Sequence, residues 1–126
     1  MEFPEELRYS REHEWVRVEG TRVVVGITDY AQDALGDVVY VQLPDAGLDV
    51  LADASIAEIE STKSVSEVYA PLTGKVVEVN AALADAPEAV NEDPYGAGWL
   101  FVVELADPSE VARLMDAAAY RTMVEG

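Results

Sequence analysis

Residues 55–79 read Ser55-Ile56-Ala57-Glu58-Ile59-Glu60-Ser61-Thr62-Lys63-Ser64-Val65-Ser66-Glu67-Val68-Tyr69-Ala70-Pro71-Leu72-Thr73-Gly74-Lys75-Val76-Val77-Glu78-Val79. Three strand-like runs stand in this stretch: Ser55 to Glu60, Val65 to Tyr69 and Lys75 to Val79. They are rich in β-branched residues, although their alternation of apolar and polar positions is imperfect. Ser61-Thr62-Lys63-Ser64 separates the first pair and Pro71-Leu72-Thr73-Gly74 the second. Breaks of this composition connect strands through turns, so the centre of the chain predicts a hairpin with Lys63 at its tip.

The same pattern extends outward. Glu14 to Glu19 and Arg22 to Val25 read as two short strands around Gly20. Thr28 is placed to cap a short helix over residues 29–35, with Gly36 as its stop. Val38 to Leu43 is a further strand bounded by Pro44-Asp45-Ala46-Gly47, and Trp99 to Val103 is the last. Asp107-Pro108-Ser109-Glu110 opens a terminal helix: Asp107 suits the cap, Pro108 the first helical position, Glu110 the reciprocal arm of a capping box. Val111, Leu114 and Met115 supply its apolar stripe. Many short strands with minor helices and one helix at the end predict a mostly β barrel or sandwich. The length, 126 residues without repeat or linker, predicts a single domain over 1–126.

Composition narrows the chemistry. Twenty-five acidic residues against eight basic ones give a formal charge of -17, which repels phosphate backbones and anionic lipid, so neither nucleic acid nor membrane is an expected partner. The opening Met1-Glu2-Phe3-Pro4 lacks the basic and apolar segments of a targeting peptide, and a cytoplasmic protein is expected, a mature mitochondrial form being the alternative. Cysteine is absent and His13 is the only histidine. Thiolate nucleophiles, zinc clusters and Ser-His or Cys-His arrangements are thereby excluded, and any redox or acyl chemistry must come with a cofactor. No Asp-x-Asp-x-Asp-Gly calcium loop occurs, and the acidic residues read as solvated surface rather than metal ligands.

Lys63 and Lys75 are the only lysines. Lys63 projects from small polar residues at the predicted tip, where a modifying enzyme could enclose its amine without disturbing the strands. Lys75 opens a strand. Local physics by itself favours an ordinary solvated turn lysine at 63, and Thr62-Lys63 lacks the Asn-Gly or Asp-Gly signature of a tight hairpin.

The residues from Glu60 to Gly74 resemble the lipoylation hairpin of the glycine cleavage H proteins, with Glu60 three residues before the lysine and Gly74 eleven after it. Further stretches resemble that family in order: His13-Glu14-Trp15-Val16, Val25 to Gln32, Leu35 to Val41, Leu43-Pro44, and Val90 to Trp99. Thr62 and Ser64 depart from the family's apolar or small residues beside the lysine. Biotin carriers flank their lysine with methionines, and lipoyl domains of 2-oxoacid dehydrogenases usually set Asp before it; Thr62 and Ser64 match neither. The resemblance implies a biotinyl/lipoyl-attachment fold, a barrel-sandwich hybrid of short antiparallel strands carrying the lipoyl hairpin.

It also implies a function. Lipoate would be joined covalently to Lys63, with Glu60 and Gly74 as supporting motif residues, and the chain itself would be a non-catalytic carrier in one-carbon metabolism. Its implied partners are the pyridoxal-phosphate glycine decarboxylase (P protein), the tetrahydrofolate-dependent aminomethyltransferase (T protein), the dihydrolipoamide dehydrogenase (L protein) and lipoate-attaching enzymes. A role as lipoyl donor to other carriers needs the same Lys63 and is the alternative. The loaded arm would end in a labile amine, and a protonated amine leaving solvent needs a carboxylate or carbonyl partner. Glu14, in the family-like segment, is the candidate for that docking. Glu67, four residues after Lys63, is the weaker one, equally readable as an ordinary solvated acid. With Thr62 and Lys63 as the turn, Glu67 falls opposite Glu58, a destabilising pairing that a bound cation would relieve.

Overall fold

The computed structural model describes every residue from Met1 to Gly126. Its strands are β1 (Arg8–Tyr9), β2 (Glu14–Glu19), β3 (Arg22–Ile27), β4 (Val38–Gln42), β5 (Asp49–Val50), β6 (Ser55–Ser61), β7 (Val65–Tyr69), β8 (Gly74–Val79) and β9 (Phe101–Leu105). Three α-helices accompany them: α1 (Asp29–Leu35), α2 (Ala89–Glu92) and α3 (Ala117–Glu125). Short 3-10 helices cover Ala81–Ala84 and Pro108–Arg113. Every strand pairing is antiparallel, in one sheet of order β1-β2-β3-β9-β8-β5 and another of order β4-β6-β7. This is mostly β as the strand pattern predicts, and a barrel-sandwich hybrid as the family resemblance implies.

The broken alternation of β6 and β8 accompanies register shifts between Ser55 and Ala57 and between Val76 and Glu78, and the apolar runs of β3 and β9 have a different cause. Between the sheets lies a core of 20 buried residues that takes Val23 and Val25 from β3, Phe101 and Val103 from β9, and Ile59 and Val68 from the smaller sheet. Val24 and Val102 point the other way, into a second cluster with Phe3, Leu7, Tyr9, Trp15, Ala117 and Tyr120. The central strands of the larger sheet are therefore buried on both faces and read as continuous apolar runs. No helix is long and apolar enough to cross a membrane.

The cap at Thr28 holds, its hydroxyl accepting from the Ala31 amide, and Gly36 ends α1 at φ +82. The C-terminal expectation is corrected. No single helix runs on from Pro108: the 3-10 helix gives way to extended backbone at Leu114, and Met115 forms an antiparallel bridge with Tyr9. Its two backbone hydrogen bonds of 2.8 Å outcompete continued helix, and α3 starts afresh at Asp116, whose side chain accepts from the Ala119 amide. Asp107 caps the 3-10 helix as expected. Glu110 closes no capping box, because its carboxylate accepts from the Thr73 amide instead. The last strand also begins two residues later than expected, since the Trp99 carbonyl is taken by the Asn80 side-chain amide rather than by a neighbouring strand.

Candidate functional site

The turn between β6 and β7 is built on Ser61. Glu60 pairs with Val65, leaving Thr62 and Lys63 as the two central residues. The Ser61 amide donates to the Ser64 carbonyl at 2.8 Å. The return bond goes to a side chain: the Ser61 hydroxyl accepts from the Ser64 amide at 3.1 Å and the Lys63 amide at 3.3 Å. A serine hydroxyl standing in for a backbone carbonyl removes the need for the left-handed residues that Asn-Gly supplies. Neither Thr62 nor Lys63 has a positive φ. The tip is tied to the body by one further bond, from the Thr62 amide to the Asp37 carbonyl at 3.0 Å. The Asn91 side chain grips that segment, accepting from the Val38 amide and donating to the Gly36 carbonyl, both at 2.8 Å.

Lys63 is exposed and forms no ion pair. Its stem lies across Gly36, where a Cβ would stand 3.1 Å from Lys63 Cε. Gly36 is held to glycine by its left-handed backbone, while the exposed lysine stem above it is free to shift. Glu60 is exposed on β6 between Tyr40 and Val65. Gly74 does not join this cluster. It belongs to β8 of the larger sheet, where a side chain would strike the Glu104 carbonyl oxygen and approach Val103 Cγ1 at 2.7 Å.

A cleft of about 350 Å³ opens beside the tip, running from Ser64 and Val65 past Ile27, Tyr30 and Leu35 to His13 and Glu14. Glu14 is the exception to the reading of acids as solvated surface, being only 2% exposed. Its two carboxyl oxygens accept from the Ser10 hydroxyl at 2.5 Å and the Tyr69 amide at 3.1 Å. Burial pushes this carboxyl up to about 7, with the two donors pulling the other way. Glu67 also lines the cleft but is exposed, and its carboxylate accepts from the Ser55 and Tyr69 hydroxyls, both at 3.1 Å. It does stand opposite Glu58. Tyr69 links the two candidate acids, its amide to Glu14 and its hydroxyl to Glu67.

The single histidine belongs to the same wall. His13 has φ +72, and its Nδ1 lies 2.8 Å from the hydroxyl of Tyr120 on α3. That hydroxyl is also 2.7 Å from Thr28 Oγ1, the cap of α1. Burial lowers the imidazole pKa. The fit for a lipoyl arm is good on these observations: an unpaired amine at an exposed tip, next to an open cleft with apolar sides and one buried acid.

Over residues 7–126 the chain matches the family model described as glycine cleavage H-protein. The chain belongs to that family. It is 59% identical over 125 residues to the glycine cleavage system H protein of Anaeromyxobacter sp. (strain K), covering 99% of this chain and 98% of that one. Identity to the H protein of Nocardia farcinica is 61% over 128 residues, covering 98% and 97%. A crystal structure of a glycine cleavage system H protein from Mycobacterium marinum shares the fold with a TM-score of 0.90 at 42% identity, over 98% of this chain and 100% of that one. As a member of the H-protein family, the chain is a lipoyl carrier component of the glycine cleavage system.

Sequence reasoning missed several residues that shape this H-protein site: Ser61, Asn91 and Asp37 at the hairpin, Ser10, His13 and Tyr120 at the cleft. Ser61 had a usable signal, a hydroxyl residue three before Ser64 across a short break. For Tyr120 there was none, since its partners lie 107 and 92 residues away.

Proposed function

We propose that lipoate is joined to Lys63 through an amide, and that the loaded chain carries the aminomethyl group of glycine from a pyridoxal-phosphate glycine decarboxylase to a tetrahydrofolate-dependent aminomethyltransferase. A dihydrolipoamide dehydrogenase then reoxidises the arm. One observation carries the reading: Lys63 stands at a hairpin tip beside the Glu14 cleft, whereas Lys75, also unpaired and beside a cleft, lies within β8 with Asp49 and Glu104 as cross-strand neighbours. In the attachment step the Lys63 amine attacks an activated lipoyl carbonyl, the activating group leaves with its electron pair, and the nitrogen gives up a proton. The arm supplies the dithiol redox and group-carrying chemistry that a chain without cysteine lacks.

The chain's own residues hold and shelter. Ser61 and Asp37 fix the tip, so the arm pivots from a defined point. Glu14, poised between its neutral and ionised forms near neutral pH, takes the protonated amine end when the arm folds into the cleft, with Glu67 adding negative charge at the rim. In this reading the chain catalyses nothing itself, and its benefit is effective concentration: one tethered group visits several active sites without release. Intact-mass measurement and peptide mapping of protein from its native host test the attachment. A lipoyl-sized increment on Lys63, absent from Lys63→Arg, is the expected result; an increment on Lys75 or none at all would end the reading.

A further inference from the structure

The outward face of the β4-β6-β7 sheet carries apolar side chains that nothing in the chain covers. Tyr40, Glu60 and Val65 are successive cross-strand partners and so share one face. Tyr40 is 54% exposed and Val65 58%, with Val39 beside them at 49%. Isolated exposed apolar residues are ordinary. An aromatic and a β-branched residue set in one row, beginning two residues from the proposed attachment lysine, form a patch of the kind that anchors a partner. The next row of the same face is Gln42, Glu58 and Glu67. Two carboxylates therefore border the patch and a third, Glu60, stands within it, so the partner's rim must be basic.

Reach decides which partner this is. The lysine stem spans roughly 6 Å from Cα to Nζ. An enzyme that acylates Nζ must bring its reacting carbonyl to bonding distance, which presses its surface against the strands beside the tip. Enzymes that act on the dithiolane meet it a whole acyl chain further out and need no such contact. We propose that the Tyr40–Glu60–Val65 row is the docking surface for the lipoate-attaching enzyme, an apolar spot seated between basic groups of that enzyme. This rests on Lys63 being the attachment site.

The test is steady-state lipoylation of the unmodified chain by a lipoate–protein ligase supplied with lipoate and ATP. Tyr40→Ser and Val65→Ser should each raise KM about tenfold or more with kcat within twofold of wild type. Tyr40→Phe should restore KM, and Val18→Ser, an equally exposed apolar position on β2, should leave it unchanged. Wild-type KM should rise with salt, less steeply in Glu58→Gln. Wild-type KM in folded Tyr40→Ser and Val65→Ser would overturn the docking surface while leaving Lys63 as the attachment site. Unchanged KM together with slower reoxidation of the loaded variant by dihydrolipoamide dehydrogenase would give the face to a partner at the arm's far end. Unchanged KM with loss of a wild-type dimer in sedimentation would give it to a second copy of the chain. Failure of the wild type itself to be lipoylated would remove both this proposal and the attachment reading.

Discussion

At Glu14 burial and chemistry oppose each other most strongly. A carboxyl held between the Ser10 hydroxyl and the Tyr69 amide ties β2 to the β6–β7 hairpin, yet its ionised form is desolvated. Its pKa rises from 4.5 to about 7 on folding. Between those values the folded chain holds more protons than the unfolded one, so this group makes stability fall as pH rises through the window. Glu14→Gln removes the titration. Urea denaturation at a series of pH values should show the variant gaining on wild type by on the order of 3 kcal/mol between pH 4 and pH 8. A difference that stays constant would show that Glu14 is not the titrating group. An amine docked from the loaded arm would hold the carboxylate ionised, so sheltering should strengthen above pH 7. Spontaneous ammonia release from the loaded chain should then be faster in Glu14→Gln than in wild type, and equal rates would end the docking role.

At the scale of elements, the seven longer strands, α1 and the hairpin were legible because each rests on local rules, whereas the two-residue strands β1 and β5 and the single-turn α2 carry no such local signal. Thr28 and Gly36 bracket α1, and β-branched runs between turn residues mark the strands. What failed was local propensity set against a distant partner: the Met115–Tyr9 bridge breaks the expected terminal helix, and the Thr73 amide takes the Glu110 side chain from its cap. Gly74 shows the same division. It ends the Pro71-Leu72-Thr73-Gly74 break in the sequence, and the structure sets it at the start of β8 with the β9 backbone pressed against it. Gly74→Val should cost about 1–3 kcal/mol in thermal or denaturant unfolding, because overpacking against backbone outweighs any gain from a stiffer unfolded chain. The hairpin tip is held separately through Ser61 and Asp37, so lipoylation should slow only as far as the folded fraction falls. Wild-type stability in the variant would show that β9 yields there.

Across the whole molecule, the cleft beside the hairpin depends on chain that comes last in the sequence. Composition assigned the chemistry to a cofactor and the charge to the surface, Glu14 excepted, and the candidate attachment lysine followed from resemblance over nearly the full length. No local pattern could show that α3 supports the cleft wall, because that support is a tertiary contact of one hydroxyl. Tyr120 is fully buried, its ring stacked on Tyr9 at 4.8 Å and edge-on to Phe3 at 5.3 Å. These contacts, and an edge-on approach to the His13 ring at 5.7 Å, belong to the ring, whereas the hydrogen bonds to His13 and Thr28 belong to the hydroxyl. Tyr120→Phe separates the two contributions. Packing is kept, and Nδ1 of His13 and Oγ1 of Thr28 lose a common partner, which should cost about 1–3 kcal/mol. The Thr28 hydroxyl caps α1, so the Ala31 amide should exchange faster with solvent, and the His13 ring should lose its fixed tautomer in nitrogen NMR spectra. The hairpin is tied elsewhere, through Asp37 and Asn91, so amide exchange at Thr62 should be unaffected. If Ala31 exchange and the His13 spectrum match wild type while stability falls, the hydroxyl serves packing alone, and α3 has no hold on the cleft.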